Sequence, residues 1–144
     1  MTTNDKGNRG LAHVIADVTE KGFQPFIPLT DTSLIDLVIA DKELNTKNLQ
    51  VKYISINGDG SLLLQLETVV NGKRILKDFS GIDAFAVYCP DNKNVYYVSI
   101  NDITGKSFTI KVNPSKNGYK PKRSAEDYLD IKNIEGTVKV TNWF

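Results

Sequence analysis

Three polar residues on two neighbouring apolar segments have the types and spacing to do chemistry together. Asp36 interrupts the apolar run 35–39, and Gln50 and Lys52 share one face of the alternating segment 48–56. An ionised carboxylate among apolar side chains is costly unless it is paired or bound to a metal. If the two segments pair as strands, the three side chains converge at one end of a sheet. Gln50 and Lys52 equally fit the polar face of a half-solvated strand.

The chemistry available to such a group is that of a hard cation beside an ammonium. A carboxylate and an amide oxygen, here from Asp36 and Gln50, are ligands suited to Mg²⁺, for which Mn²⁺ can substitute. The Lys52 ammonium could position or help deprotonate an attacking water and offset charge at a phosphate. The pattern therefore predicts a metal site with a lysine next to it.

Length and composition place the chain among ordinary globular proteins. Its 144 residues correspond to about one domain, with 40% apolar and 24% charged residues. There is no run of about 18 apolar residues and no apolar stretch after Met1, which argues against a membrane helix and a secretory signal. The single Cys89 and the single His13 exclude a disulfide framework and a Cys/His metal cluster. We therefore expect a cytoplasmic protein with no membrane partner.

Charge is distributed unevenly along the chain, although the net charge is only +1. Between Asp102 and Glu126 there is no acidic residue, whereas the remaining 12 basic and 17 acidic residues leave the rest of the chain at −5. A phosphate-binding surface on an acidic body has this distribution, and so does a solvated lysine-rich loop. The basic residues of this segment, 106–123, are Lys106, Lys111, Lys116, Lys120, Lys122 and Arg123.

The first regular element is an amphipathic helix. Apolar residues at 11, 14, 15 and 18 follow helical spacing, so one stripe faces a core. We expect Asn4 or Asp5 to cap its start and Gly22 to follow its end. Gly7 and Gly10 cost helix stability, which indicates a close backbone approach to a sheet, a partner or DNA.

A series of strands follows the helix. Asn57-Gly58-Asp59-Gly60 predicts a hairpin between the strand 48–56 and a return strand 61–70, and Asn71-Gly72 predicts a second one. Pro25 and Pro28 place the first strand at an edge. Helix first and then an antiparallel-rich sheet indicates an α/β (α+β mixed) fold, in a single domain 1–144 whose C-terminal tail is 130–144. The other predicted strands are 23–29, 35–39, 74–76, 84–89, 95–100 and 108–112, with a helical turn at 125–129.

The order of these motifs resembles that of the PD-(D/E)xK nuclease superfamily, in its D…QxK variant. The segment 82–98, which contains the letters FAVYCP, resembles the branch that includes bacterial group I intron-encoded homing endonucleases. The residues that carry the match are Lys6-Gly7…Gly10, Gly22-Phe23…Pro28, Ile35-Asp36-Leu37-Val38 and Gln50-Val51-Lys52.

This resemblance implies a restriction-endonuclease-like core, with the N-terminal helix packed on a central mixed β-sheet. It implies that Asp36 is the principal metal ligand, that Gln50 replaces the usual second acid, and that Lys52 is the catalytic lysine. The implied reaction is Mg²⁺-dependent hydrolysis of both strands of double-stranded DNA by a homodimer or homotetramer. A Holliday junction resolvase, a catalytically inactive DNA-binding protein and an unrelated β-rich binding domain stay open as alternatives.

Two positions depart from the family pattern. Ile35 stands where a proline is usual, which changes a turn preference but no chemistry. Leu11 occupies the catalytic position on the first helix where relatives carry a glutamate, and a leucine cannot bind a metal. Three explanations are open: the chain is naturally slow or inactive, the leucine is an engineered replacement, or another acid, Glu67 or Asp31, enters the site.

Two surfaces are candidates for DNA contact. The segment 106–123 would bind phosphates as a basic loop, and the hairpins at 57–60 and 71–77 would enter a major groove as a β-ribbon. The sequence does not decide which of them reads bases. In addition to the basic residues of 106–123, the candidate DNA-binding residues are Lys73, Arg74 and Lys77.

Overall fold

The structure is a computed structural model that describes residues 1–30, 34–113 and 123–136. One long helix precedes nine short strands. Single 3₁₀ turns lie at Ile100–Asp102, Ala125–Tyr128 and Ile131–Ile134. The other elements are α1 (Thr3–Glu20), β1 (Gln24–Phe26), β2 (Leu37–Ala40), β3 (Thr46–Tyr53), β4 (Ser61–Gln65), β5 (Glu67–Val70), β6 (Lys73–Leu76), β7 (Ala84–Cys89), β8 (Asn94–Ser99) and β9 (Ser107–Lys111).

Helix α1 begins with a capping box one turn before the predicted start. The Thr2 side chain accepts from the Asp5 backbone N–H, and the Asp5 carboxylate accepts from the Thr2 backbone N–H at 2.9 Å. The predicted cap at Asn4 or Asp5 is therefore wrong, because Asp5 is the third residue of the helix. Gly22 ends the helix as predicted, with a φ of +91° that a side chain would strain.

The central sheet has five strands in the order β1-β2-β3-β7-β8. All neighbours are antiparallel except β3 and β7, which run parallel, so the sheet is mixed. The chain between these two parallel strands holds β4, β5 and β6. Strand β1 carries Pro25 at the sheet edge, as predicted, because proline cannot donate to a second neighbour. Together with the helix, this sheet confirms the predicted fold class.

Side chains on the two faces of β3 border two separate clusters of buried residues. Leu49, Val51 and Tyr53 join a helix-side cluster with Val14 and Val18 of α1. Ile54, the residue after β3, packs against a far-side cluster, which contains Leu66, Phe85 and Val87 and is also packed by Leu76. Because side chains alternate along a strand, Gln50 and Lys52 lie on the far-side face.

Gly10 explains how closely the helix approaches the sheet. A Cβ at Gly10 would lie 3.5 Å from Cγ1 of Val51, 3.6 Å from Cβ of Tyr53 and 3.9 Å from the Lys52 carbonyl oxygen. The predicted close backbone approach is therefore real at Gly10 and directed at β3. Nothing lies within 4 Å of a Cβ at Gly7.

The two predicted hairpins have opposite outcomes. At 57–60 the turn forms, since the Gly60 N–H donates to the Asn57 carbonyl, but β4 pairs with β9 and not with β3. The prediction of a hairpin there is wrong because Leu62 and Leu64 of β4 are buried in the far-side cluster, where the strand that pairs with β4 is the distant β9. At Asn71-Gly72 the hairpin is confirmed, with φ of 50° and 78° as a type I′ turn requires.

Several predictions fall on residues outside the described ranges. They concern Asp31, half of the basic segment, namely 114–122, and the end of the tail from 137 onward. In the described part of the chain, no helix has the length and apolar character needed to cross a bilayer.

Candidate active site

Asp36 is fixed to the middle of β3 by two hydrogen bonds. Its backbone N–H donates to the Leu49 carbonyl at 2.9 Å, and the Val51 N–H donates to its Oδ2 at 2.8 Å. The residue lies immediately before β2. The prediction that it lies inside an apolar strand is therefore wrong. Its carboxylate is thereby held at the residue between Gln50 and Lys52, which is the convergence that the spacing predicted.

The side chain of Gln50, next to Val51 on β3, has a buried oxygen atom. Its side chain is 6% exposed, and its Nε2 donates to the Leu34 carbonyl at 3.3 Å. Its Oε1 is buried and has no hydrogen-bond partner among the described residues. A buried carbonyl oxygen without a partner costs about 1–3 kcal/mol, which a bound cation would recover. This oxygen is the observation that fits a metal at Gln50.

Lys52 is half-buried on the same strand, and its surroundings disfavour its charge. Burial, followed by the positive charge of Lys77, lowers the pKa of Lys52, while the Asp36 carboxylate opposes that shift. A lysine with a lowered pKa is more readily deprotonated near neutral pH than an exposed one. Lys52 can therefore hold a phosphate oxygen as a cation or accept a proton from a nearby water.

The donor set fits a hard cation with few protein ligands. Within the described ranges no group of three or more His, Cys, Asp or Glu side chains could hold a metal. Asp36 supplies one carboxylate and Gln50 one neutral oxygen, so the remaining ligands would come from water and from substrate. Mg²⁺ is commonly held in this way, by one or two carboxylates together with substrate phosphates.

Leu11 lies on the helix-side face of β3. It packs against the cluster that contains Val51, and its neighbour Gly10 contacts Val51 and the Lys52 backbone. The helix thus crosses β3 at Val51, whose N–H anchors Asp36, and at the following residues Lys52 and Tyr53. Leu11 contributes apolar packing at this crossing and no ligand.

Two of the predicted DNA-binding residues, Lys77 and Lys106, lie at the base of one hairpin. The Leu66 N–H donates to the Lys106 carbonyl at 3.0 Å, and the Lys77 N–H donates to the Leu66 carbonyl at 3.1 Å. Leu66 therefore brings the backbones of Lys77 and Lys106 together, and the charge of Lys77 reaches Lys52. Lys73 and Arg74 are exposed on the β5–β6 hairpin (residues 67–76), hereafter the basic hairpin.

Other predicted residues have different surroundings. Lys111 Nζ donates to the Asp59 carbonyl, and the Arg123 guanidinium lies 4.3 Å from the centre of the Phe108 ring. Glu67 is placed opposite Leu76 in the basic hairpin. Lys116, Lys120 and Lys122 lie outside the described residues. The sequence did not indicate that Lys77 acts on Lys52, because 25 residues separate them and only the packing of the hairpin joins them.

Replacing Lys77 tests its electrostatic effect on Lys52. We expect Lys77→Met to raise the pKa of Lys52, because the variant removes a like charge that disfavours the ammonium. NMR titration of the lysine side chains would measure this value. Lys77→Arg retains the charge and is the matched control, for which we expect no rise. An unchanged Lys52 pKa in Lys77→Met would contradict the proximity of the two lysines.

Helix α1, the five-stranded mixed sheet and the Asp36–Gln50–Lys52 group define a protein of the restriction-endonuclease-like class. A family model described as PD-(D/E)XK endonuclease matches residues 1–131. The chain therefore belongs to the PD-(D/E)XK endonuclease family, and the predicted resemblance is confirmed. No curated protein matches the sequence significantly.

A solved structure agrees with this fold. The bacterial homing endonuclease I-Ssp6803I is similar, with a TM-score of 0.72 and 20% identity over 89% of this chain and 88% of that chain. Hjc, a Holliday junction resolvase from Archaeoglobus fulgidus, matches with a TM-score of 0.45 and 13% identity over 94% and 92% of the two chains. At this identity the first likeness establishes the fold.

Proposed function

We propose that the chain is a metal-dependent endonuclease of the homing type, which binds double-stranded DNA and cuts both strands. The observation that carries the proposal is the Asp36 carboxylate, hydrogen-bonded to the Val51 N–H between Gln50 and Lys52. The family match adds nuclease chemistry to this geometry. The likeness to a bacterial homing endonuclease motivates the homing type.

The roles follow from the chemistry of each side chain. Asp36 and the Oε1 of Gln50 would hold Mg²⁺, which when bound polarises the phosphoryl group and lowers the pKa of a coordinated water. Lys52 orients the attacking water and offsets the charge that develops on the phosphate. The lowered Lys52 pKa suits a residue that exchanges a proton near neutral pH.

Leu11 limits the activity of this site. With a neutral Gln50 and an apolar Leu11, Asp36 is the one anionic ligand of this group among the residues that the structure describes, so metal affinity is low and cleavage is slow. The same observation supports a second candidate function, a DNA-binding protein that no longer cleaves. A glutamate at position 11 would separate the two, because it would restore cleavage in a slow nuclease.

The basic hairpin, together with Lys106, supplies the surface for the DNA backbone. Lys73, Arg74, Lys77 and Lys106 share it, and the segment 106–123 would extend it. Cutting both strands requires two copies of the site related by a twofold axis, so we propose a homodimer or homotetramer. We place its activity in the cytoplasm.

Salt dependence of binding tests this surface. We expect the logarithm of the association constant for a linear duplex to fall with the logarithm of salt concentration with a slope of about −3 to −4 per protomer, since four cations contact phosphates. Fluorescence anisotropy of labelled duplexes measures it. Lys73→Ala/Arg74→Ala should reduce the slope by about 2, whereas Lys93→Ala in the β7–β8 turn should leave it unchanged.

Two outcomes of the same titration would contradict the proposal. A flat salt response would show that binding involves no phosphate contacts, and it would therefore contradict a DNA substrate. Competition by an unlabelled four-way junction at much lower concentration than a linear duplex would indicate a structure-specific nuclease in place of a homing type.

A further inference from the structure

The basic hairpin carries apolar side chains at its surface as well as cations. We propose that one face of it recognises thymine methyl groups in the major groove of DNA. This inference rests on the proposed function, because it concerns how the same nuclease would choose its site.

The register of the hairpin sorts its side chains onto two faces. Thr68 pairs with Ile75 and Val70 pairs with Lys73, so these four residues share one face, hereafter the methyl face. The other face carries Glu67 opposite Leu76 and Val69 opposite Arg74. Each face thus has one cation near the turn.

Exposure shows that the methyl face has no cover in the described structure. Val70 is 46% exposed and Ile75 is 45% exposed, and Thr68 beside them adds a third methyl-bearing side chain. A two-stranded hairpin is marginally stable by itself, and this one is attached to the body through Leu76 and the Leu66–Lys77 hydrogen bond. Exposed β-branched side chains on such an element are typical of a contact surface.

Charge decides in favour of DNA over a second copy of the chain. Two hairpins packed on each other through the methyl face would bring Lys73 of both copies into the contact, and like charges in contact are destabilising. A patch of two or three side chains is also far below the roughly 800 Å² per partner that a stable interface buries. A polyanion, in contrast, matches the cations of the hairpin and of its base.

The shape and chemistry of the methyl face fit the major groove. A two-stranded ribbon fits this groove, and four residues per strand span about 13 Å, the rise of about four base pairs. Thymine presents a methyl group there, which makes apolar contact with side chains such as Val, Ile and the Thr methyl. The opposite face is less suitable, because the Glu67 carboxylate would approach the phosphates.

The experiment replaces the methyl group without changing base pairing. A library of randomised duplexes is selected for binding to the full chain, and the consensus duplex is remade with single thymines replaced by deoxyuridine. We expect two or three of these replacements to weaken binding about threefold to fourfold each, as loss of a buried methyl group predicts. Val70→Ala and Ile75→Ala should remove the sensitivity at those positions.

Val69→Ala is the matched control, because Val69 is equally apolar and 63% exposed but lies on the opposite face. It should retain the sensitivity of the parent chain. Unchanged salt slopes and melting temperatures would show that the variants are folded.

Each contrary result has a separate meaning. A consensus that binds deoxyuridine and thymine equally would overturn the inference and leave the nuclease proposal intact. Binding without any consensus would also overturn the inference alone. A change in the sedimentation mass of Val70→Ala/Ile75→Ala without a change in thymine preference would have the same meaning. Failure to bind any duplex would overturn the proposed function and the inference with it.

Discussion

Lys52→Met is expected to lower DNA cleavage by about 10³-fold, measured in the Leu11→Glu background where the rate is highest. Methionine is similar to lysine in length, but it carries no charge and accepts no proton. The variant therefore lacks the ammonium that offsets charge on the phosphate and the group that accepts a proton from the attacking water. Duplex binding should change little, because the salt-dependent contacts lie on the basic hairpin. Single-turnover cleavage rates and anisotropy measure the two effects.

The same variant should stabilise the fold at neutral pH. Burial lowers the pKa of Lys52 below its ordinary value of 10.5, so the charged side chain destabilises the folded state while the pH is below its folded pKa. This cost disappears as the pH rises through that folded pKa toward 10.5. We therefore expect the Lys52→Met advantage to be present near pH 7 and to shrink with rising pH.

Lys47→Met is the matched control, since Lys47 lies on the same strand away from the Asp36 anchor. It should retain the cleavage rate of its background. Equal losses of cleavage in Lys47→Met and Lys52→Met would show that the strand, and not the Lys52 ammonium, determines the rate.

Asp36→Asn is expected to lower DNA cleavage about as much as Lys52→Met does, while leaving the fold intact. The asparagine Oδ1 can still accept from the Val51 N–H, so the anchor on β3 is kept. The negative charge that holds a divalent cation is lost, and with it the thermal stabilisation that Mn²⁺ gives to a protein that binds it. Cleavage rates and melting temperatures with and without Mn²⁺ would be compared with those of the background.

Asp36→Ala separates the structural role of the residue from its chemical role. This variant leaves the Val51 N–H without its carboxylate acceptor, which costs about 1–3 kcal/mol. We expect it to lose both cleavage and stability. Retained cleavage in Asp36→Asn would contradict the role of Asp36 as a metal ligand.

Much of the site could be predicted because its residues are local to two adjacent segments. The alternation of 48–56 placed Gln50 and Lys52 on one face, and an antiparallel neighbour brought Asp36 to them. Gly10 likewise indicated a close approach, because a glycine inside a helix needs a reason.

What the sequence could not supply is the pairing of distant segments. The turn at 57–60 forms from local hydrogen bonds, yet the partner of β4 is β9, about 45 residues along the chain. The position of Lys77 beside Lys52 depends on the same long-range packing, through Leu66. His13 is exposed on the helix, yet its ring stacks on that of Tyr88 with the ring centres 4.0 Å apart, a contact that helical spacing does not reveal.

The most direct test of the central claim is a cleavage assay of this chain and of Leu11→Glu, run in parallel on a genomic fragment library with Mg²⁺, Mn²⁺ or a chelator. The resemblance implies that a glutamate at position 11 faces the metal, so we predict cleavage of both strands about 10²-fold faster by Leu11→Glu, abolished by the chelator. Leu11→Gln, which adds polarity without charge, should not reproduce the gain. Duplex binding without cleavage by either chain would contradict the nuclease and support a DNA-binding protein.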